Sequence, residues 1–256
     1  MESLIFILAG FVTGIITGII GASSIVAFIP IILLFSNYDA FSLIGVSLAL
    51  DVFVALVAFL IYRKFHHIKF KMGIFLAIFA VIGAIIGSYV SISLPQAGLF
   101  AITGLITLVT GIGIFRRKKK IKSPNKLEFN FSLKNFKFWL AILLTFGIGL
   151  ISGVFGAAGG ISLLLLLILL FKFEIHEAIG TSVFVMFFIA LAGSLTHFYF
   201  TDFPFPLLIS AIAGGIIGGF FSARLANSFK EGVLNKISGL LLIILGLITL
   251  LKELIL

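Results

Sequence analysis

Long apolar stretches are the feature that most constrains the fold of this chain. A helix needs about 20 apolar residues to cross the hydrocarbon core of a bilayer. Only 11% of the 256 residues are charged, whereas a soluble domain carries about 25%. The sequence therefore predicts an all-α polytopic membrane protein with lipid around most of its surface. The apolar stretches run approximately over 4–35, 41–62, 70–92 and 97–115, and then over 138–171, 178–200, 207–222 and 233–251.

The two sets of four stretches look like copies of one internal repeat. A shift of 135 residues places Gly14, Gly18 and Gly21 on other glycines. Over the third stretch of each half, the glycines match at a shift of 131 instead, which aligns 83–87 with 214–218. This smaller shift predicts that four residues have been lost from the loop after 200. We therefore divide the chain into a first membrane repeat, a basic linker and a second membrane repeat. The proposed bounds are 1–115, 116–137 and 138–256, and the matching glycines are Gly149, Gly153 and Gly156.

The opening stretch of each half is too long for one ordinary span and is interrupted by small residues. The interruptions fall at 21–24 and 156–160. The apolar piece after each one has 11 residues, about 16 Å of helix, which cannot cross the bilayer alone. Each repeat is therefore predicted to have a broken or re-entrant first helix followed by three spanning helices.

Basic residues predict how the halves lie in the cell membrane. Loop 63–71 and linker 116–137 are strongly basic, and the linker alone has nine Lys and Arg residues, so both are expected in the cytoplasm. If each broken stretch returns to its starting side, 17 of the 18 basic residues are cytoplasmic, and if it crosses once, 14 are. The first arrangement makes the halves inverted-topology repeats, and we favour it over the eight-span alternative.

The paired interruptions are the predicted substrate site. The residues that open a helix have N–H groups without an intrahelical partner, and the helix dipole adds a partial positive charge. A small anion suits such a place, and glycine lets it approach the backbone closely. Gly-x-x-x-Gly spacing in the same helices is more typical of helix packing. The predicted binding residues are Gly21, Ala22, Ser23, Ser24 and Ile25 in the first half and Gly156, Ala157, Ala158, Gly159, Gly160 and Ile161 in the second.

Matched hydroxyl residues form a second candidate group. Ser47 in the first half corresponds to Ser182 in the second, and Thr181 precedes Ser182. These hydroxyls can complete a polar site between the halves. The alternative is that they bond to a carbonyl of their own helix.

Two ionisable residues lie well inside predicted spans, and such residues are costly in a membrane. Asp51 follows Ser47 by one helical turn, and we expect it to border the cavity and carry a coupling proton or Na⁺. His197, whose repeat mate is Tyr62, is a candidate for coupling or gating, although it can also reach interfacial water. The chain has no cysteine, and these isolated residues predict no metal site and no cofactor.

The chain resembles the sulfite exporter TauE/SafE family of membrane permeases over nearly its whole length apart from the linker. The second half carries the resemblance in 156–160, 178–182 and 193–197, which are similar to the family's glycine-rich turn, its A-x-G-T-S-like element and its G-x-x-x-H-like pattern. The first half departs from the pattern, with Val46 in place of threonine and Tyr62 in place of histidine. The resemblance implies seven or eight spans and transport of small sulfur-containing or organic anions.

The function predicted from these features is secondary transport of a small anion, such as sulfite or a sulfonate, by alternating access between the two repeats. An ion channel or a cation-coupled permease that uses Asp51 is the nearest alternative, and a membrane-embedded enzyme is a weaker one. The chain contains no G-x-x-x-x-G-K-[ST] motif, so a gradient rather than bound ATP is expected to drive the cycle. The expected partners are the anion and membrane lipids and not nucleic acid, and the oligomeric state stays open.

Overall fold

The structure, a computed structural model, is all-helical over the residues that it describes and contains no strand there. These residues are 2–35, 38, 40–93, 105, 108–109, 111–113, 115–116, 136–156, 159–200 and 205–255. The linker residues 117–135, and most of the predicted span 97–115, lie outside this part of the chain. The helices are α1 (Glu2–Ile20), α2 (Ile25–Phe35), α3 (Ala40–Lys64), α4 (Phe70–Ser91), α5 (Phe136–Phe155), α6 (Gly159–Leu169), α7 (Ile175–Phe200), α8 (Phe205–Ala226) and α9 (Glu231–Ile255).

Six of the described helices are long and apolar enough to cross a membrane, namely α1, α3, α4, α5, α7 and α8. Their outward faces carry exposed apolar side chains such as Ile78, Leu143 and Ile209. Water would make such faces unfavourable, whereas lipid is the matching solvent. The protein is therefore a multi-pass membrane protein, as the apolar stretches predict.

Both opening stretches are interrupted where the sequence predicts. Helix α1 ends at Ile20 and α2 begins at Ile25, while α5 ends at Phe155 and α6 begins at Gly159. Gly21 and Gly156 adopt left-handed backbone conformations, with φ of +70° and +68°. Side chains disfavour these angles, so glycine is suited to end each helix. Both α2 and α6 have 11 residues and are too short to span a bilayer.

The two halves repeat with one constant offset. Adding 135 to the bounds of α4 (70–91) gives the bounds of α8 (205–226). A methyl group added to Gly83 would collide with the carbonyl oxygen of Phe146, and one added to Gly218 would collide with that of Phe11. The two contacts are repeat equivalents, because Gly218 is 135 residues after Gly83 and Phe146 is 135 residues after Phe11. Helices α4 and α8 therefore correspond at a shift of 135. The predicted shift of 131, with its four lost residues, is wrong. Glycines four residues apart still match after a slide of one helical turn, which explains the error.

Helices α3 and α7 pack against each other in opposite directions. Gly180 near the start of α7 lies beside Tyr62 near the end of α3, and Gly193 further along α7 lies beside Leu48. Around this pair, α1 packs on α8 and α4 packs on α5. Since α1 corresponds to α5 and α4 to α8, each of these contacts is the repeat equivalent of the other.

Glycines allow the outer pairs of helices to approach closely. A methyl group on Gly14 would collide with the backbone of Gly215 in α8, and one on Gly149 would collide with the backbone of Ala80 in α4. The Gly-x-x-x-Gly spacing in α1 and α5 is therefore used for helix packing, which is its usual role in membranes. This leaves the interruptions themselves, rather than the glycines before them, as the unusual feature.

Candidate functional site

The two helix interruptions meet in the interior of the protein. We call residues 21–24 the first break and residues 156–160 the second break, which includes the first two residues of α6. Ser23 Oγ lies 2.8 Å from the carbonyl oxygen of Gly156. A methyl group on Gly160 would collide with the carbonyl oxygen of Gly21. The predicted residues of the first break and Ile25 are buried, as are Gly156 and 159–161, whereas Ala157 and Ala158 lie outside the described residues. Their role in binding stays a prediction.

The first break is occupied by the side chain of Asp51. The carboxylate is buried in the middle of α3. It accepts hydrogen bonds from the Ser24 amide at 2.6 Å, from the Ser24 hydroxyl, and from Ser23 Oγ at 2.5 Å. The Ser24 amide, which opens α2, therefore already has the Asp51 carboxyl group as its hydrogen-bond partner. A carboxyl group in this position accepts the hydrogen bond of a backbone amide that has no partner within its own helix.

The second break has no equivalent carboxyl group. The position that corresponds to Asp51 at the offset of 135 is Met186, which is buried and lies beside Gly160. The residues that correspond to Ser24 and Ile25 are Gly159 and Gly160. The second break therefore has glycine at the two positions where the first has a hydroxyl-bearing side chain and a branched one.

The matched hydroxyl residues sit beside the breaks but bond within their own helices. Ser47 Oγ donates to the Ile44 carbonyl at 2.9 Å, and Ser182 Oγ donates to the Ile179 carbonyl at 3.0 Å. A methyl group on Gly21 would lie 3.0 Å from Ser182 Oγ. The own-helix alternative therefore describes these two hydroxyls in this conformation, although Ser182 is close enough to reach the first break by rotation.

Thr181 and Tyr62 make contacts that join different segments. The Lys69 amide donates to Thr181 Oγ1 at 3.1 Å, so Thr181 holds the loop before α4 rather than a break. Tyr62 is fully buried, and its hydroxyl donates to the Gly18 carbonyl at 3.2 Å, one turn before the first break. His197 is also fully buried, in the last turn of α7. It does not extend into interfacial water.

A polar cluster at the α3–α4 loop was not predicted from the sequence. His67 Nδ1 lies 2.6 Å from Asn227 Oδ1, and the His67 ring lies 5.2 Å from the His176 ring. Lys69 Nζ forms an ion pair with Glu177 at 2.5 Å. These contacts join the α3–α4 loop to the start of α7 and the end of α8. The partners are more than 100 residues apart in sequence, so only the approach of α7 to α3 could have indicated them.

The fold and its interior together define a class of protein, a multi-pass membrane protein whose duplicated halves bring two interrupted helices into contact. Interrupted helices at matching positions of two repeats are typical of secondary transporters. Residues 6–249 match the family model described as "Sulfite exporter TauE/SafE", and the chain belongs to this family.

Bacterial relatives of the chain agree with this class. The chain is 24% identical to the "Probable membrane transporter protein YunE" of Bacillus subtilis (strain 168), with 96% of each chain covered. It is 25% identical to the "Probable membrane transporter protein YdhB" of the same organism, over 94% of this chain and 100% of the relative. No solved structure matches the chain.

Proposed function

We propose that this protein is a secondary transporter of a small anion in the cell membrane, and that the anion binds where the two breaks meet. The observation that carries the proposal is the buried contact between the breaks, in which Ser23 Oγ lies 2.8 Å from the Gly156 carbonyl oxygen. Sulfite and short sulfonates are the proposed substrates because the matching family is described as sulfite exporters. Interruption of a membrane helix is costly unless the freed backbone groups gain partners, and a bound ion is one such partner.

The anion is proposed to bind at the second break. Helix α6 begins at Gly159, and the first N–H groups of a helix have no partner within it. The absence of side chains at Gly159 and Gly160 allows an oxyanion to approach the backbone. At the first break, the corresponding Ser24 amide donates to Asp51. The two breaks therefore offer an anion different environments, and the second one is the better match.

Alternating access is proposed to occur by movement of one half against the other. In this conformation Gly160 packs directly against Gly21, so an anion can enter only when the breaks separate. Helices α3 and α7 are repeat equivalents that run antiparallel. Halves related in this way have a pseudo-two-fold axis across their helices, which supports inverted repeats in a membrane. The basic loop 63–71 and linker 116–137 are proposed to face the cytoplasm.

Transport by purified protein in liposomes tests the proposed function. We expect saturable uptake of radiolabelled sulfite or a short alkyl sulfonate, with faster uptake when the same anion is loaded inside. Acceleration by internal substrate when the membrane potential is held at zero is a property of a carrier cycle, and a channel does not give it. Uptake restricted to cations, or anion flux that never saturates, would contradict the proposal.

A matched pair of leucine variants locates the binding site in the same assay. Gly159→Leu places a bulky side chain where the anion is proposed to approach α6, and we expect it to abolish uptake. Gly147→Leu is the control, because a Cβ atom added at Gly147 in α5 has nothing within 4 Å. Equal activity of the two variants would place the anion away from the second break.

A further inference from the structure

Four hydrogen-bond contacts around Asp51 share only three protons when its side chain is ionised. Ser23 Oγ lies 2.5 Å from Asp51 Oδ2 and 2.8 Å from the Gly156 carbonyl oxygen. A serine hydroxyl has one proton to donate. If Ser23 donates to an ionised Asp51, then its oxygen lone pairs face the Gly156 carbonyl, and no hydrogen bond joins the two breaks.

Protonation of Asp51 removes this mismatch. With a proton on Oδ2, Asp51 donates to Ser23 Oγ, and the Ser23 hydroxyl is then able to donate to the Gly156 carbonyl. Oδ1 continues to accept from the Ser24 amide and the Ser24 hydroxyl. Each proton then has one acceptor, and the chain of hydrogen bonds extends from α3 through the first break to the second. The neutral form therefore fits the observed contacts, and the ionised form leaves one of them unmade.

The spacing of the oxygen atoms favours a proton over Na⁺ as the ion at this place. An oxygen-coordinated cation of this size sits about 2.4 Å from each ligand and keeps neighbouring ligand oxygens roughly 3.4 Å apart. The Ser23 oxygen is instead 2.5 Å and 2.8 Å from its two neighbours. In addition, the Ser24 amide points its N–H at Oδ1, and a donor in that position repels a cation.

The helices around Asp51 carry their other titratable side chains near their ends. Helix α3 packs against α1, α2, α7 and α8, and α2 has no titratable residue. Asp51 is therefore the one titratable residue of these helices, among those described, that lies in the middle of a span. The others are Glu2 on α1, Tyr62, Arg63 and Lys64 on α3, His176, Glu177, His197 and Tyr199 on α7, and Arg224 on α8.

We propose that Asp51 is a proton-binding site that couples transport of the anion to a proton, because its protonated form puts no negative charge beside the second break, whereas its ionised form opposes binding of the anion there. This inference rests on the proposed transporter function. The proton comes from water on the side to which the site is open, and the new O–H bond forms on Oδ2. Two hydrogen bonds separate Asp51 from Gly156, so an anion at the second break is close to the carboxyl group. A negative charge on that group then opposes its binding.

Proton movement during sulfonate uptake tests this inference. A short alkyl sulfonate is the appropriate probe because it stays ionised at every pH used, so any pH dependence belongs to the protein. In liposomes that contain a pH-sensitive dye, we expect sulfonate entry to acidify the interior. We expect binding to weaken about tenfold or more as Asp51 becomes ionised. Asp51→Asn keeps the shape and hydrogen bonds of the neutral form, so it is expected to bind and exchange sulfonate at all pH values without moving protons.

Infrared difference spectroscopy gives a second readout that does not depend on transport. We expect the carbonyl stretch of a protonated carboxyl group to titrate with pH, to increase when sulfonate is added, and to be absent from Asp51→Asn. Gly147→Ala is the control, since nothing lies within 4 Å of the added methyl group, and it should keep the band.

The outcomes separate the two proposals. Sulfonate uptake without proton movement, uptake that requires Na⁺, or a band unaffected by pH and sulfonate would overturn proton coupling and leave the anion transporter standing. Absence of uptake and binding for every anion at every pH would overturn the proposed function, and the coupling with it. A loss of pH dependence in Asp51→Asn, with exchange retained, supports both.

Discussion

The two breaks begin with the same backbone conformation and differ in chemistry. In each, the preceding helix ends at a glycine with a left-handed backbone, Gly21 or Gly156. The amide of this glycine donates a hydrogen bond to the carbonyl oxygen four residues earlier, with a nitrogen–oxygen distance of 2.7 Å. The first break then places two serines against Asp51, whereas the second half has Ala158, Gly159 and Met186 at the matching positions. Duplication therefore preserved the interruption of the helix, which needs glycine at one position. The residues around the interruption were free to differ, so one half holds a carboxyl group, and the other is proposed to hold the anion.

The largest expected effect comes from giving the second break the carboxyl group of the first. Met186→Asp places a buried carboxyl group beside Gly160, where an ionised form repels an anion and has no serine hydroxyls as partners. We expect sulfonate binding, measured by calorimetry, to weaken by about 100-fold or more. Met186→Leu conserves volume and should bind normally. Unchanged binding in a well-folded Met186→Asp protein would mean that the anion is not at the second break.

The next effect concerns the space at the contact between the breaks. Ile25 in the first half corresponds to Gly160 in the second. The second half has no room for a side chain there, because a methyl group on Gly160 would collide with the Gly21 carbonyl oxygen. We expect Gly160→Ala to destabilise the protein by about 1–3 kcal/mol, the usual cost of overpacking a buried contact. Thermal unfolding in detergent measures this change against Gly147→Ala. Equal stability of the two variants would show that the breaks are not packed together in solution.

A smaller effect should distinguish the two matched serines. Ser182 lies beside the first break, since a methyl group on Gly21 would approach its Oγ to 3.0 Å. By the repeat, Ser47 belongs beside the second break, where Ile44, one turn earlier on α3, lies against Gly156. Loss of one hydrogen bond to the anion corresponds to about a five- to tenfold change in affinity. We expect Ser47→Ala to lose affinity for the anion by this factor and Ser182→Ala to change affinity little. A loss of affinity in Ser182→Ala and not in Ser47→Ala would assign the anion to the first break.

The smallest effect is expected outside the breaks, at the α3–α4 loop. The ion pair between Lys69 and Glu177 is short at 2.5 Å, but the Lys69 side chain is 46% exposed. Exposed ion pairs contribute about 0–1 kcal/mol because water screens them. Lys69→Gln should therefore alter thermal stability only slightly and leave sulfonate affinity unchanged. A large loss of affinity would indicate that this loop, rather than the breaks, controls access to the anion.

Much of the fold could be predicted from the sequence because membrane helices leave strong local signals. The spans, the breaks at 21–24 and 156–160, and the duplication all follow from apolar length and glycine spacing. The residue-by-residue correspondence between α4 and α8 could not be predicted in this way, since a glycine pattern with a four-residue period matches itself after one helical turn. The constant offset of 135 becomes visible only when contacts between helices, such as Gly83 with Phe146 and Gly218 with Phe11, are compared.

The candidate site was predicted in part. The interior contacts of Ser23 with Gly156 and of Gly160 with Gly21 agree with the prediction that the breaks meet, since non-helical backbone in a membrane must be buried. Binding of an anion by these residues stays a prediction. The partner of the Ser24 amide could not be predicted, since Asp51 is 27 residues away and belongs to another helix. For the same reason the sequence placed a bound anion at both breaks alike, whereas the structure shows that one of them already contacts a carboxyl group.

Location of the bound anion tests the central claim most directly, which is that the second break holds the anion while the first holds Asp51. A crystal structure with a short alkyl sulfonate that carries bromine would provide it, since bromine can be located by its anomalous scattering. We predict sulfonate oxygens within hydrogen-bond distance of the backbone N–H groups of Gly159, Gly160 or Ile161, with Asp51 still bound to Ser24. A sulfonate bound at the Ser24 amide with Asp51 displaced, or bound away from both breaks, would contradict this account.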